Sequence, residues 1–264
     1  MYNFTYHRPS SVADAAKTVL GAEEGKLVAG GMTLIPTLKQ RLAKPSDLVD
    51  LGRIAELEGI KKEGATIVIG AMTKHADVAS SDVVKGAIPG LATLADGIGD
   101  PAVRNRGTIG GSISNNDPAA DYPSALMALG ATVVTNKRKI AADDFFTGMF
   151  ETALEPGEIV TAVQFPIPEK AAYSKFPNPA SRYAVVGVFV AKGPAGVRVA
   201  VTGAGPSVFR QKEMEAALTK SFTSDAVAGI KAPATNLNSD IHASADYRAH
   251  LITVMAKRAV AAAK

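Results

Sequence analysis

Two Gly-Gly pairs, Gly30-Gly31 and Gly110-Gly111, set the strongest constraint on how this chain can fold. The first pair ends the short apolar run Leu27-Val28-Ala29, which reads as a buried strand, and is followed by Met32-Thr33-Leu34, where helical spacing begins. A strand that hands two glycines to a helix start makes a good anion cradle. Glycine lets backbone N–H groups come close to a phosphate, and the helix N-terminus favours negative charge. The same residues also suit a tight strand-to-helix turn with no ligand, and the segment alone does not choose between the two. It is neither a Gly-x-Gly-x-x-Gly dinucleotide fingerprint nor a P-loop, because no Gly-Lys-Ser/Thr follows.

The flanking pattern is β-α-β-α-β. Ser11 and Asp14 have capping-box spacing, Val12, Ala15, Ala16, Val19 and Leu20 recur at helical intervals, and Gly21 supplies a stop. A second helix is predicted over Leu34–Leu42, with Pro36 tolerated in its first turn. Strands are predicted over Asp47–Leu51 and Thr66–Ile69. This is the layout of a small α/β layer. Short helices follow around Ala76–Ala79 and Leu91–Ala95. The stretch from Gly97 to Asp121 is crowded with Gly, Asn, Asp, Ser and Pro and has no long apolar run, so it reads as an ordered, functional loop. Pro123–Leu129 resumes helix, with Asp121 placed to cap it and Gly130 to end it. A hairpin is expected from Ala131–Val134 and Arg138–Ala141, and a strand over Glu158–Phe165. Prolines at 166, 168, 177 and 179 suggest a boundary near residue 170. Beyond it, Tyr183–Ala191 and Val197–Thr202 read as antiparallel strands, with helices over Gln211–Lys220 and Tyr247–Ala263.

The second glycine pair lies in Arg104-Asn105-Arg106-Gly107-Thr108-Ile109-Gly110-Gly111-Ser112. Thr108 and Ser112 add hydroxyls to the glycine amides, again suited to phosphate. Arg104 and Arg106 are either charge partners for a ligand or braces for the loop. Asp121, if it is more than a helix cap, can accept hydrogen bonds from sugar or ribityl hydroxyls. Two such loops suggest a pyrophosphate held from two sides, and therefore a dinucleotide cofactor. A third segment, Lys175 to Tyr183, is either a polar loop closing over a cofactor, with Tyr183 free to stack, or a linker with a core tyrosine.

Composition removes other readings. With no cysteine, the chain has no disulfide, zinc–thiolate site, cysteine nucleophile or cysteine-ligated cluster. The four histidines, His7, His75, His242 and His250, lack metal-ligand spacing, and Ser112 is not in a nucleophile elbow. A net charge of +4 from scattered basic residues, with no tryptophan, does not suggest nucleic acid. The tripeptide Lys137-Arg138-Lys139 reads as a solvated hairpin tip. No apolar run approaches membrane-spanning length, and the N-terminal MYNFTYHRPSS lacks a signal pattern. A soluble, cytoplasmic protein is expected.

Five segments, in order, resemble a known family. Ala29-Gly30-Gly31-Met32-Thr33, the Arg104–Ser112 loop, Asn116-Asp117-Pro118-Ala119-Ala120-Asp121-Tyr122-Pro123-Ser124-Ala125, the run from Pro179 to Val188 and the run from Thr202 to Arg210 are similar to the FAD-binding medium subunit of molybdenum hydroxylases, such as carbon monoxide dehydrogenase and bacterial xanthine dehydrogenase. The resemblance implies an α+β fold. A two-subdomain FAD-binding region of the PCMH or vanillyl-alcohol-oxidase-like type would occupy residues 1–172, divided near residue 54. Residues 173–264 would form a C-terminal domain with a small antiparallel sheet and helices, like that of carbon monoxide dehydrogenase flavoproteins. It implies that Leu27, Val28, Ala29, Gly30, Gly31, Met32, Thr33 and Leu34, with Thr108, Ile109, Gly110, Gly111 and Ser112, hold the FAD pyrophosphate. Asp121 would contact the flavin's sugar or ribityl part, the strand at Ile159-Val160 and the loop near Asn178 would approach the isoalloxazine, and Tyr183 would join the cofactor-binding residues.

Met32 and Ser112 depart from the polar residue and the asparagine common in the family, but leave backbone amides in place. The absence of cysteine separates this chain from the hydroxybenzoyl-CoA reductase type, which carries an extra cluster in this subunit. The implied function is an electron relay with no catalytic acid or base in this chain. Its partners would be a small subunit with 2Fe-2S clusters and a large molybdopterin subunit, in a dimer of heterotrimers. A self-contained flavin oxidase and a scaffold that has lost FAD are the alternatives.

Overall fold

A computed structural model describes the whole chain, residues 1–264. Near the N-terminus, Ser11 caps the first helix: its Oγ accepts from the Asp14 amide at 3.1 Å and donates to the Asp14 carboxylate at 2.7 Å. That helix and the next link three strands, in the order β1 (Thr5–His7), α1 (Val12–Gly21), β2 (Gly25–Val28), α2 (Leu34–Lys39) and β3 (Asp47–Asp50). The sheet order is β1-β3-β2 with both pairings parallel, which helical crossovers allow and tight hairpins do not. Helix α2 stops at Lys39, short of the predicted Leu42, because Arg41 takes a left-handed conformation at φ 60°. Ala15, Val49 and Leu51 pack with Ile54, Leu57, Met72 and Ile159, joining this layer to the second one.

The second layer comprises β4 (Ile60–Glu63), β5 (Thr66–Gly70), α3 (His75–Ser80), α4 (Asp82–Ala87), α5 (Pro89–Asp96), α6 (Pro101–Arg104), α7 (Ile109–Asn115), α8 (Tyr122–Leu129), β6 (Thr132–Thr135), β7 (Lys139–Ala141), α9 (Ala142–Phe145), β8 (Phe146–Gly148), β9 (Glu151–Thr152) and β10 (Val160–Pro166). Strands β4-β5-β10-β6-β7 form one antiparallel sheet. Gly97–Asp121, read from sequence as an ordered loop, in fact holds two helices, α6 and α7. Each is a short helix started by a side-chain cap: Asp100 Oδ1 accepts from the Val103 amide at 2.9 Å, and Thr108 Oγ1 from the Gly111 amide at 3.2 Å. One cap starts each helix, α7 adds the buried pair Ile109 and Ile113, and no longer apolar pattern is needed for helices so short. Asp121 does not cap α8 through its side chain.

The hairpin tip is not merely solvated. Arg138 pairs with Glu158 through Nε at 3.0 Å and donates to the Ala153 carbonyl at 2.7 Å, and Lys137 donates to the Pro156 carbonyl at 3.1 Å. The tip clamps the turn that enters β10.

The third layer contains β11 (Lys170–Pro177), β12 (Ala184–Gly193), β13 (Gly196–Thr202), β14 (Phe209–Arg210), α10 (Lys212–Lys220), α11 (Ser224–Ala228) and α12 (Ala245–Ala262). Its four strands run antiparallel in chain order. Strand β12 is buried on both faces. Val186, Val188 and Val190 meet Ile252, Met255 and Ala256 of α12, whereas Phe189 and Ala191 join the core built on α8 and the second sheet. Strand periodicity of two sends alternate residues into different cores. No helix is long and apolar enough to cross a membrane.

Candidate functional site

The two glycine loops lie against each other. A Cβ on Gly30 would fall 2.1 Å from the carbonyl oxygen of Arg106, and one on Gly110 would fall 2.6 Å from Ala71 Cβ. These positions need glycine because backbone touches backbone. Gly31 has φ +74°, a conformation that disfavours side chains. Gly111 is less tightly enclosed, its would-be Cβ lying 3.0 Å from Thr108 Oγ1 and 3.2 Å from Ala29 Cβ.

A cavity of about 650 Å³ runs along both loops. It brings together the whole first segment (Leu27, Val28, Ala29, Gly30, Gly31, Met32, Thr33 and Leu34) with Thr108, Gly110, Gly111, Ser112, Asp121, Val160 and Tyr183. Two sequence-predicted residues lie elsewhere. Ile109 is fully buried in the core behind the second loop, and Asn178 lines a neighbouring cavity instead. Leu51, His75, Ile98, Val103, Asp117, Leu154 and Glu158 line the main cavity without having been singled out from sequence. Most are ordinary apolar residues, and nothing in their spacing distinguishes a cavity wall from a core.

The loops differ in the donors they offer. In α7 the amides of Ile109 and Gly110 already donate to the carbonyls of Thr73 (3.1 Å) and Ala71 (2.8 Å), and that of Gly111 to the Thr108 hydroxyl. Those amides are committed to holding the loop. In the first loop, by contrast, the amides of Met32, Thr33 and Leu34 donate to no protein acceptor. The hydroxyls of Thr33 and Ser112 are also unpaired with other protein groups.

Asp121 is buried at the cavity wall. Its carboxylate accepts from the Tyr173 hydroxyl and pairs with Lys175 Nζ at 3.0 Å, and Lys175 also donates to the Gly97 carbonyl at 2.7 Å. Burial pushes the Asp121 pKa up, and the Lys175 charge opposes that shift. Glu158 is held in the opposite sense. Arg138 first, with the Glu155 amide and the Thr135 hydroxyl, lowers its pKa to about 2. His75, buried beside Gly107 and Tyr122, has its pKa lowered to about 4, by burial first and by the Arg104 charge second. It is neutral at physiological pH. Arg104 braces the loop, donating to the carbonyls of Ile98 and Gly99 at 3.1 and 3.2 Å.

Residues 2–168 match the family model described as the FAD binding domain in molybdopterin dehydrogenase, and residues 171–263 match the CO dehydrogenase flavoprotein C-terminal domain. The chain is 38% identical to the carbon monoxide dehydrogenase medium chain of Hydrogenophaga pseudoflava, over 98% of this chain and 96% of that one. It is 35% identical to the glyceraldehyde dehydrogenase medium chain of Sulfolobus acidocaldarius, over 97% and 96% of the two chains. Among solved structures, it resembles carbon monoxide dehydrogenase from H. pseudoflava with a TM-score of 0.88 at 38% identity, covering 98% of this chain and 96% of that chain. Quinoline 2-oxidoreductase from Pseudomonas putida 86 gives a TM-score of 0.86 at 28% identity, covering 98% and 96%.

Proposed function

This chain belongs to the family of FAD-binding medium subunits of molybdopterin dehydrogenases, and we propose that it binds FAD in the cavity between its two glycine loops and relays electrons from an iron–sulfur partner to an external acceptor. The observation that carries the reading is the pairing of a long cavity with unsatisfied donors at one end. At about 650 Å³ the cavity falls within the ~300–1,000 Å³ usual for cofactor sites. Three free amides of the first loop suit an anionic pyrophosphate.

The residues present fit the cofactor. The amides of Met32, Thr33 and Leu34 and the hydroxyls of Thr33 and Ser112 would hold the pyrophosphate. The Thr108–Ser112 turn would supply shape more than donors, since its first amides are committed. Asp121, positioned by Lys175 and Tyr173, would accept from ribityl or sugar hydroxyls. Leu51, Ile98, Val160 and Leu154 would exclude water from the ring, and Tyr183 would cover it. FAD, when bound, supplies the redox chemistry, and the protein supplies binding, orientation and electrostatics. The partners in this reading are a small 2Fe-2S subunit and a large molybdopterin subunit, assembled as a dimer of heterotrimers. The medium-chain names of the relatives support a multi-subunit complex.

The test is a visible and fluorescence titration of the full chain with FAD, repeated on Gly111→Ala. A methyl there crowds Thr108 Oγ1 and Ala29 on the cavity wall without the backbone collision expected at Gly30 or Gly110. Saturable binding that weakens by about tenfold or more, with circular dichroism unchanged, is the expected outcome. Absence of flavin binding by the unaltered chain, with partner subunits present, would leave only a scaffold.

A further inference from the structure

The second glycine loop leaves its side of the cavity short of N–H donors. The amides of Ile109 and Gly110 donate to the carbonyls of Thr73 and Ala71, and those of Gly111 and Ser112 donate to the hydroxyl and the carbonyl of Thr108. Arg104 is turned to the carbonyls of Ile98 and Gly99. A pyrophosphate seated on the free amides of Met32, Thr33 and Leu34 would therefore meet only the hydroxyls of Thr108 and Ser112 from the opposite loop. One further polar side chain, His75, lines the cavity beside that loop.

His75 opens α3, and its backbone is tied to the second loop. Its amide donates to the Gly107 carbonyl at 3.0 Å, and the neighbouring Lys74 forms a bridge with Thr108. The ring packs on Tyr122, with centroids 5.4 Å apart, and on Gly107, where a Cβ would come within 2.6 Å of Nε2. Gly107 also touches the first loop, since a Cβ on Gly30 would lie 2.8 Å from its Cα. The imidazole edge is thus placed close to the junction of the two loops.

The two ring nitrogens are not equivalent. His75 is only 5% exposed, and its Nδ1 is sealed from solvent with no hydrogen-bond partner. Nε2 also lacks a protein partner, but it is not sealed, and the space beside it is the cavity. Burial first, and the Arg104 charge second, keep the ring neutral, so it carries a single proton. A sealed N–H without an acceptor is rarer than a sealed acceptor without a donor, which assigns that proton to Nε2. Of the two nitrogens, the one open to the cavity is therefore the donor.

We propose that His75 donates from Nε2 to a phosphate oxygen of FAD and so closes the pyrophosphate from the second-loop side. This rests on the flavoprotein reading above and adds to it a residue outside both glycine loops. Backbone amides then hold the anion on one side and a neutral imidazole on the other. A neutral donor suits the position, because it adds an N–H without burying a second cation beside Arg104. Gly107 serves the same arrangement, since a methyl there would push the ring edge out of place.

The test uses the full chain with isotope-labelled histidine, studied by nitrogen NMR at neutral pH with and without FAD. His75→Leu removes the donor, and His75→Gln keeps an N–H near the position of Nε2. Expected are an Nε2-protonated ring, an Nε2 resonance that moves when FAD binds, and a loss of about tenfold in FAD affinity in His75→Leu that His75→Gln largely recovers. A phosphorus resonance of the bound FAD should also differ between the unaltered chain and His75→Leu. The leucine variant identifies the His75 signal among the four histidines, and circular dichroism checks its fold. If that variant does not fold, the nitrogen spectra of the unaltered chain and of His75→Gln still decide. A proton on Nδ1, an Nε2 resonance indifferent to FAD, or unchanged affinity and phosphorus spectra in a folded His75→Leu would overturn the proposal. A chain that binds FAD without involving His75 loses only this inference, whereas one that binds no FAD loses the flavoprotein reading first.

Discussion

At the scale of single residues, His75 makes the clearest prediction. Its folded-state pKa of about 4 lies below the ordinary 6.5, so the unfolded chain binds a proton that the folded chain rejects. Stability is unaffected above pH 6.5 and falls as pH drops from there toward 4, by up to about 3 kcal/mol for a shift of this size. Asp121 moves the other way, because its raised pKa makes its protonation favour the folded state as pH falls below that value. The difference between wild type and His75→Gln isolates the histidine. Urea unfolding at pH 7 and at about pH 4.5 should show a smaller loss in the variant than in the wild type, and equal losses would remove His75 from the account. Glycines show what sequence can and cannot reveal at this scale. Gly30-Gly31 and Gly110-Gly111 were legible as special positions, but the reason for Gly30 and Gly110 was not. Each is glycine because a distant backbone lies where a Cβ would be, and no local spacing encodes that contact.

Among the elements, the segment from Gly97 to Asp121 shows where pattern reading fails. Its two helices are too short for an apolar period to appear, and they are stabilised by caps and by carbonyls from Ala71 and Thr73, which belong to another part of the chain. The capping side chains Asp100 and Thr108 were the available signal. Thr108→Ala should cost about 1 kcal/mol, the usual worth of a threonine cap, and should weaken FAD binding, because the turn that shapes the cavity loses its anchor. Thr108→Ser should restore both, as read by thermal melting and flavin titration. An alanine variant that melts and binds like wild type would show that the Ala71 and Thr73 carbonyls suffice. Strand β11 escaped for a different reason. Its residues Ala171, Ala172 and Tyr173 are buried, but the prolines on either side read as a boundary, and Pro177 at the strand's end is where a strand tolerates proline.

Across the whole molecule, the family matches divide the chain between residues 168 and 171, but the forces holding it together do not divide there. Phe189, Ala191 and Ala200 of the third sheet belong to the core centred on α8. Thr202 Oγ1 lies 3.2 Å from the Pro118 carbonyl and 2.6 Å from that of Ala120, the Gly203 amide donates to the Pro118 carbonyl at 2.8 Å, and Lys175 pairs with Asp121. The cavity wall from Asp117 to Asp121 is thus held in place by the C-terminal sheet. Thr202→Val, which keeps the shape but removes the buried donor, should therefore cost about 1–3 kcal/mol and lower FAD affinity, although Thr202 does not line the cavity. The complete chain should unfold in one transition, with flavin release, tryptophan-free near-ultraviolet dichroism and far-ultraviolet dichroism all sharing a midpoint. Two separated transitions, with flavin retained through the first, would mean that the C-terminal sheet only rests on the cavity and does not build it. The shared core argues against that outcome, because unfolding the third sheet alone would expose the α8 residues that pack with Phe189, Ala191 and Ala200.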